Sequence, residues 1–293
     1  MKPLQDSFSH RGPEPEKSIL YIVCTPIGNL NDMSQRAKNI LSNVSLIACE
    51  DTRNTGKLLK YLNISNKLIS FNQHNSKERV PFIISELHKD KSIALVSDAG
   101  TPLISDPGEL LVDKVIEANF DVITIPGPCA AITALACSGL GGSKFIFYGF
   151  LPKSGKERNE LIVSIKKSRF TSIIYESPKR VCKLLLDLKN SCGEQRMISI
   201  SKELTKKFEK SIKCNIKEAI NYFSITKPIG EFTLVISPNE EKEDEKDAYD
   251  KNLKKEFLEL ISAGLSHSSA ALYLAKKHKK YKNKIYNMLL KNT

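Results

Sequence analysis

The chain has 293 residues with 41% hydrophobic and 27% charged side chains, enough apolar mass for more than one core and too little for a membrane protein. No apolar run approaches the roughly 18 residues of a membrane helix, and the polar Met1–Lys17, with Gly12, Pro13 and Pro15, reads as a disordered tail, not a signal peptide. A net charge of +12 points to a polyanionic partner, and seven dispersed cysteines without C-x-x-C or His at metal spacing point to a reducing compartment with no disulfide framework and no metal site.

In chain order, Ser18–Cys24 is an apolar strand that runs into Thr25-Pro26-Ile27-Gly28-Asn29-Leu30. Asn31 or Asp32 then caps a helix over Met33–Leu41. Leu46–Cys49 is a second strand, ending in Glu50-Asp51-Thr52-Arg53 before a helix over Thr55–Leu62. A third strand, Leu68–Phe71, precedes a helix near Lys77–His88.

Ile93–Val96 then delivers Ser97-Asp98-Ala99-Gly100-Thr101-Pro102-Leu103-Ile104-Ser105-Asp106-Pro107-Gly108, a loop rich in Gly, Pro and Asp. A buried strand meets a ligand site in this way: glycines open unusual backbone conformations, and free amides, carbonyls and a carboxylate gather at a carboxyl end. A helix over Gly108–Ala118 and a strand over Val122–Ile125 follow. Strands alternating with helices predict a doubly wound, mostly parallel α/β domain over 18–127.

Pro126-Gly127-Pro128-Cys129-Ala130-Ala131 opens a small-residue helix to Ser138. Beyond it, Lys144–Phe150, Thr171–Tyr175, Met197–Ser201 and Phe232–Ser237 read as strands, and Glu157–Lys167, Pro178–Lys189 and Lys217–Phe223 as helices. Fewer crossovers predict a mixed sheet in a second α/β domain over 128–238. Residues 239–250 are acidic: Glu240–Asp250 holds seven acids against two lysines and reads as a solvated linker. From Lys251 to Thr293 there are ten lysines against two acids, in three short helices (Leu253–Ile261, Ser268–His278, Lys282–Leu290). That basic helical segment, 251–293, is a candidate RNA-binding appendage.

There is no P-loop, no strand-linked G-x-G-x-x-G and no G-x-S-x-G elbow. Gly/Pro loops without a lysine suit a ligand held by backbone hydrogen bonds and apolar contact, such as adenosine joined to an amino acid.

Tyr21–Leu30, Ala48–Arg53, Ala94–Gly108, Pro126–Leu135, Gly149–Pro152, Tyr175–Pro178 and Glu203–Thr205 stand in order. Together they resemble the tetrapyrrole-methylase-type enzymes that 2′-O-methylate a cytidine ribose of bacterial 16S ribosomal RNA, over roughly residues 18–290. The resemblance implies a two-domain tetrapyrrole-methylase-like fold, S-adenosylmethionine in the cleft between the domains, a homodimer, the small ribosomal subunit as partner and a cytoplasmic role in decoding-centre maturation. Carried over by position, Pro26, Gly28, Asp98, Ala99, Gly100, Thr101, Pro102, Cys129, Ala130 and Ala131 would line the cofactor. Cys24 stands where the family more often has Pro, and Lys179 where it often has His.

Methyl transfer to a ribose hydroxyl needs in-line alignment and a base for the hydroxyl proton. Glu50 or a Lys202–Glu203 pair is the candidate base. Arg53 and Arg180 are candidate phosphate clamps, and Lys276, Lys277, Lys279 and Lys280 candidate RNA contacts. Two other readings stay open: a methyltransferase for a small tetrapyrrole, against which the basic appendage argues, and a non-catalytic cofactor- or RNA-binding module.

Overall fold

The structure is a computed structural model that describes residues 12–239, 242–278 and Ile285, with side chains omitted for 242–251. The chain divides into two compact units, one ending at Pro238 and one beginning at Asn239. Among the described residues no helix is long and apolar enough to cross a membrane.

The larger unit holds two five-stranded sheets. In the first, β1 (Ile19–Val23), β2 (Leu46–Cys49), β3 (Leu68–Ser70), β4 (Ile93–Val96) and β5 (Asp121–Ile125) lie in the order β3-β2-β4-β1-β5, all parallel. Every residue of β1, β2 and β4 is buried, as expected of strands covered on both faces. Alternation along β1 divides it between two cores. Ile19, Tyr21 and Val23 join Ile40 and Leu59, from α1 (Gln35–Asn43) and α2 (Thr52–Tyr61). Leu20 and Ile22 join Ile83 and Leu111, from α3 (Ser76–Leu87) and α4 (Glu109–Glu117).

The caps shift the expected helix starts. Ser34, not Asn31 or Asp32, caps α1 by accepting the Ala37 amide, while Asn29 caps a 3-10 turn over Leu30–Asp32. Asp51 caps α2, so that helix begins three residues before the expected Thr55.

In the second sheet, β6 (Phe145–Phe150), β7 (Thr171–Glu176), β8 (Met197–Lys202), β9 (Lys210–Asn215) and β10 (Phe232–Ile236) lie in the order β6-β7-β10-β8-β9. Only β6 and β7 are parallel, so the sheet is mixed. β9 stands where no strand is expected from sequence. One face packs on α6 (Lys156–Lys167), α7 (Val181–Cys192) and α8 (Ile216–Ile225), and the other on α5 (Ala130–Ser138), which touches β7, β8, β9 and β10. α8 opens with a reciprocal capping box between Asn215 and Glu218.

The stretch expected as a tail is held in part: Glu14, its side chain only 12% exposed, pairs bidentately with Arg36 at 2.7 Å.

In the smaller unit α9 (Lys242–Ser262) covers most of the acidic stretch, so the expected linker is helical from Lys242 onward. α9 and α10 (His267–Lys277) bury Leu253, Phe257, Ala270, Ala271, Leu274 and Ala275 against one another. Of the third expected helix only Ile285, helical and buried, lies within the described residues; Lys279 and Lys280 lie outside them.

Candidate functional site

Three loops at the carboxyl ends of the first sheet meet. Thr25 and Gly100 exchange backbone hydrogen bonds of 2.8 and 3.0 Å. The Thr101 hydroxyl donates to the Pro128 carbonyl, and the Cys24 thiol donates to Thr101 Oγ1. A Cβ on Gly127 would stand 2.7 Å from Cys24 Cβ, so this close approach is what the glycine permits. Gly100 at φ +86°, and the non-glycine Leu103 at +72° and Ser105 at +68°, occupy the left-handed region, a concentration of backbone strain in one loop.

The second sheet supplies the facing wall. A register shift in β6 at Gly149 brings that residue against the central loop, where an added Cβ would lie 2.8 Å from Ser105 Oγ. The next residue, Phe150, is 57% exposed and stands 5.5 Å, centroid to centroid, from Tyr175. The Tyr175 hydroxyl accepts the Ala131 amide at 3.0 Å, tying β7 to the start of α5, and burial raises its pKa.

Between the walls lies a cleft of about 370 Å³. Asp98, Ala99, Gly100, Thr101, Cys129 and Ala130, all expected at the cofactor, line it, together with Ile27, Ile104 and Ser105 from the same side. Phe150, Tyr175, Ser177, Pro178, Phe232 and Thr233 line it from the other. Its four charged side chains are Asp98, Asp106, Glu176 and Glu231; no Lys, Arg or His is among its described lining residues.

The carboxylates differ. Asp98 accepts the Asp51 amide at 3.2 Å and the Asn54 side-chain amide at 2.8 Å. Burial pushes the pKa of Asp106 up, with the charge of Asp98 adding to it and a hydrogen bond from Ser97 opposing. Glu50, just behind, is pushed up by burial first and then by the charges of Asp106 and Asp98. Glu176 is buried; its Oε1 takes the Ser177 amide at 2.8 Å and Arg180 Nε at 3.0 Å, while its buried Oε2 has no hydrogen-bond partner.

Other expected residues fall outside the cleft lining. Pro26 and Pro102 are buried beneath it, and the amide of buried Ala131 is taken by Tyr175. Gly28 serves packing: a Cβ there would lie 2.4 Å from Lys206 Cγ and 2.9 Å from Thr205 Oγ1. Lys202 lines a separate groove on the far side of β10. Glu203, at φ +51°, accepts the Glu231 amide and Lys206; burial alone would raise its pKa, but these bonds lower it. The two therefore do not form a pair in the cleft.

The two arginines also part. Arg180 is turned inward, onto Glu176 and the Leu151 carbonyl, with 23% of its side chain exposed. Arg53 is 85% exposed and fastened to Asp51 at 2.7 Å. In the smaller unit Lys276 is exposed and Lys277 pairs with Glu256 at 2.9 Å.

Asp106, Phe150 and Tyr175 were not expected at the site, although each stands within a motif quoted above; Glu176 and Glu231 are strand-end carboxylates that the sequence already offers as able to face the cleft, and they line it. Asp106, Phe150, Tyr175 and Glu176 stand at a strand's carboxyl end or in the loop next to it, and Glu231 just before the antiparallel β10.

Two five-stranded sheets flanked by helices meet at this cleft, which draws lining residues from both. The profile of the Tetrapyrrole (Corrin/Porphyrin) Methylases matches residues 19–220, and the chain belongs to that family. A cobalt precorrin-4 methyltransferase of cobalamin biosynthesis shares the fold, with a TM-score of 0.57 at 14% identity over 77% of this chain and 98% of its own. Within the family, the chain belongs with the proteins named ribosomal RNA small subunit methyltransferase I. The one from Synechocystis sp. is 43% identical over 93% of this chain and 97% of its own length. The one from Vibrio cholerae is 42% identical over 94% and 95%.

Proposed function

We propose that this methyltransferase moves a methyl group from S-adenosylmethionine to the 2′-hydroxyl of a cytidine in the decoding centre of 16S ribosomal RNA. The observation that carries the cofactor is the charge of the cleft: four carboxylates, of which Glu176 pairs with Arg180 and Glu231 with Lys206 while Asp98 and Asp106 face it, no basic side chain among the described lining residues, and a wall of Ala, Gly and Cys. Such a site repels phosphate and attracts a cation with an apolar, hydrogen-bonding body. S-adenosylmethionine has a sulfonium, an α-ammonium and an adenosine, and a volume near 370 Å³ suits a molecule of that size. When bound it supplies a methyl group already activated by positive sulfur.

The chain's own residues then bind, orient and take up a proton. Asp98, the amides of the central loop, Cys129 and Ala130 would hold that cofactor. The acceptor hydroxyl gives its proton to Asp106, whose raised affinity for protons suits that task. Glu50 is a neighbouring carboxyl whose own proton affinity burial and then the charges of Asp106 and Asp98 raise. Phe150 and Tyr175 shield the cleft from water. Arg53 and the lysines of the smaller unit, Lys276 and Lys277 with Lys279 and Lys280, hold RNA phosphates, and the enzyme works as a cytoplasmic homodimer.

The test is methyl transfer from labelled S-adenosylmethionine to small ribosomal subunits from cells lacking the protein, followed by nucleoside mass analysis. Label on 2′-O-methylcytidine is expected. Label on a base, or on a tetrapyrrole instead, contradicts the reading.

A further inference from the structure

We infer that the second sheet carries an additional RNA contact, a shallow surface groove edged by lysines and the exposed Phe208 ring beside the cleft, over which a single-stranded flank of the acceptor nucleotide lies. The inference rests on the RNA reading above and extends it to a surface that reading does not use.

The register builds the groove. Glu176, Phe232, Lys202 and Lys210 stand opposite one another on β7, β10, β8 and β9, all at the cleft end of the sheet. The buried Phe232 stands between the cleft and the groove and lines both. Lys202, Lys210 and Lys227 line the groove with Tyr222 and Phe223, and no carboxylate is among its described lining residues. Lys210 Nζ lies 5.0 Å from the centre of the Tyr222 ring. On the loop between β8 and β9, Lys207 stands 5.6 Å from the Phe208 ring, which is 68% exposed.

The acids of that loop are turned to other tasks. Glu203 takes the Glu231 amide and Lys206, and Glu209 takes the Thr205 amide at 2.8 Å. What faces outward is a set of lysines around one exposed ring, Phe208, with the half-buried Tyr222 beneath Lys210. That combination fits phosphates spaced along a flexible strand with a base stacked on the open Phe208 ring, the mode of single-strand binding. It complements a polyanion, where the neighbouring cleft complements a cation.

The test uses the full chain and a fluorescent single-stranded oligoribonucleotide, with affinity measured across a salt series. Replacing Lys207, Lys210 and Lys227 together by Ala is expected to reduce the slope of log affinity against log salt by about 2, from roughly 0.7 per phosphate contact. A matched variant with Lys77, Lys166 and Lys167 replaced by Ala keeps the wild-type slope. Phe208→Ala is expected to weaken binding about tenfold with the slope unchanged, and Phe208→Tyr to restore it. S-adenosylmethionine affinity stays unchanged in all of them, which separates the groove from the cleft. A groove variant indistinguishable from the matched control overturns the inference. So does a Phe208→Ala chain that keeps RNA affinity but sediments as a smaller species, because the face would then join two copies. A wild type that transfers no methyl to small subunits, yet binds RNA with the groove-dependent slope, sinks the methylation reading and leaves the groove standing.

Discussion

Two hollows share Phe232 and have opposite charge. The cleft collects Asp98, Asp106, Glu176 and Glu231 against small residues and strained loops; the groove collects Lys202, Lys210 and Lys227 against Tyr222 and Phe223. One sheet end thus presents an anionic side for a small cation and a cationic side for a polyanion. On the proposed reading, keeping the charges apart would draw methyl donor and RNA to adjoining places without competition for either. The comparison also explains why one residue type plays two parts, since an arginine facing inward is structural and one facing outward is available.

The largest expected effect breaks the cleft from within. Arg180→Ala leaves the buried Glu176 carboxylate without its cation and should cost about 3 kcal/mol in urea unfolding; a loss near zero would mean that Glu176 is not held by that pair. Next, Asp106→Asn should lower the rate of methyl transfer about 100-fold at saturating RNA, the range of a lost proton acceptor.

The same variant has a stability signature. The pKa of Asp106 is raised in the fold, so the wild type is relatively favoured at low pH and loses that advantage as pH rises through the folded value. Asp106→Asn should therefore be no more stable than wild type below the unfolded aspartate pKa and progressively more stable toward neutral pH, read as the difference in Tm across a pH series. A difference that shrinks with rising pH would reverse the assignment.

Tyr175→Phe removes the partner of the buried Ala131 amide and should cost about 1 kcal/mol, tested by the same urea unfolding. The smallest effect sharpens the comparison. Arg53→Ala should leave the urea midpoint unmoved while weakening RNA binding and lowering its salt slope by less than one unit.

The parallel half of the fold was readable because its strands are buried on both faces and write themselves as short apolar runs closed by Gly and Pro. β9 was not, since Lys-Ser-Ile-Lys-Cys-Asn is an edge strand whose exposed positions are polar. The acidic stretch misled for a different reason: its lysines and glutamates are strong helix formers, so charge density marked a helix rather than a linker.

Part of the cleft's lining was legible where backbone alone makes it, in Asp98–Thr101 and Cys129–Ala130. It was illegible where distant segments decide. Gly28 is explained by Thr205 and Lys206, far along the chain, and Glu203 leaves its strand at a positive φ that turns it to Glu231. Arg53 and Arg180 read alike as letters; only tertiary packing tells the outward one from the inward one.

The most direct measurement is the calorimetric Kd of S-adenosylmethionine for the wild type, for Asp98→Asn and for the chain lacking Lys207, Lys210 and Lys227. An anionic cleft predicts that Asp98→Asn raises the Kd about tenfold or more, the loss of one charge-assisted hydrogen bond, while the lysine variant stays within about twofold of wild type. Equal affinity in all three, or a loss confined to the lysine variant, would contradict a cleft that holds its ligand by negative charge.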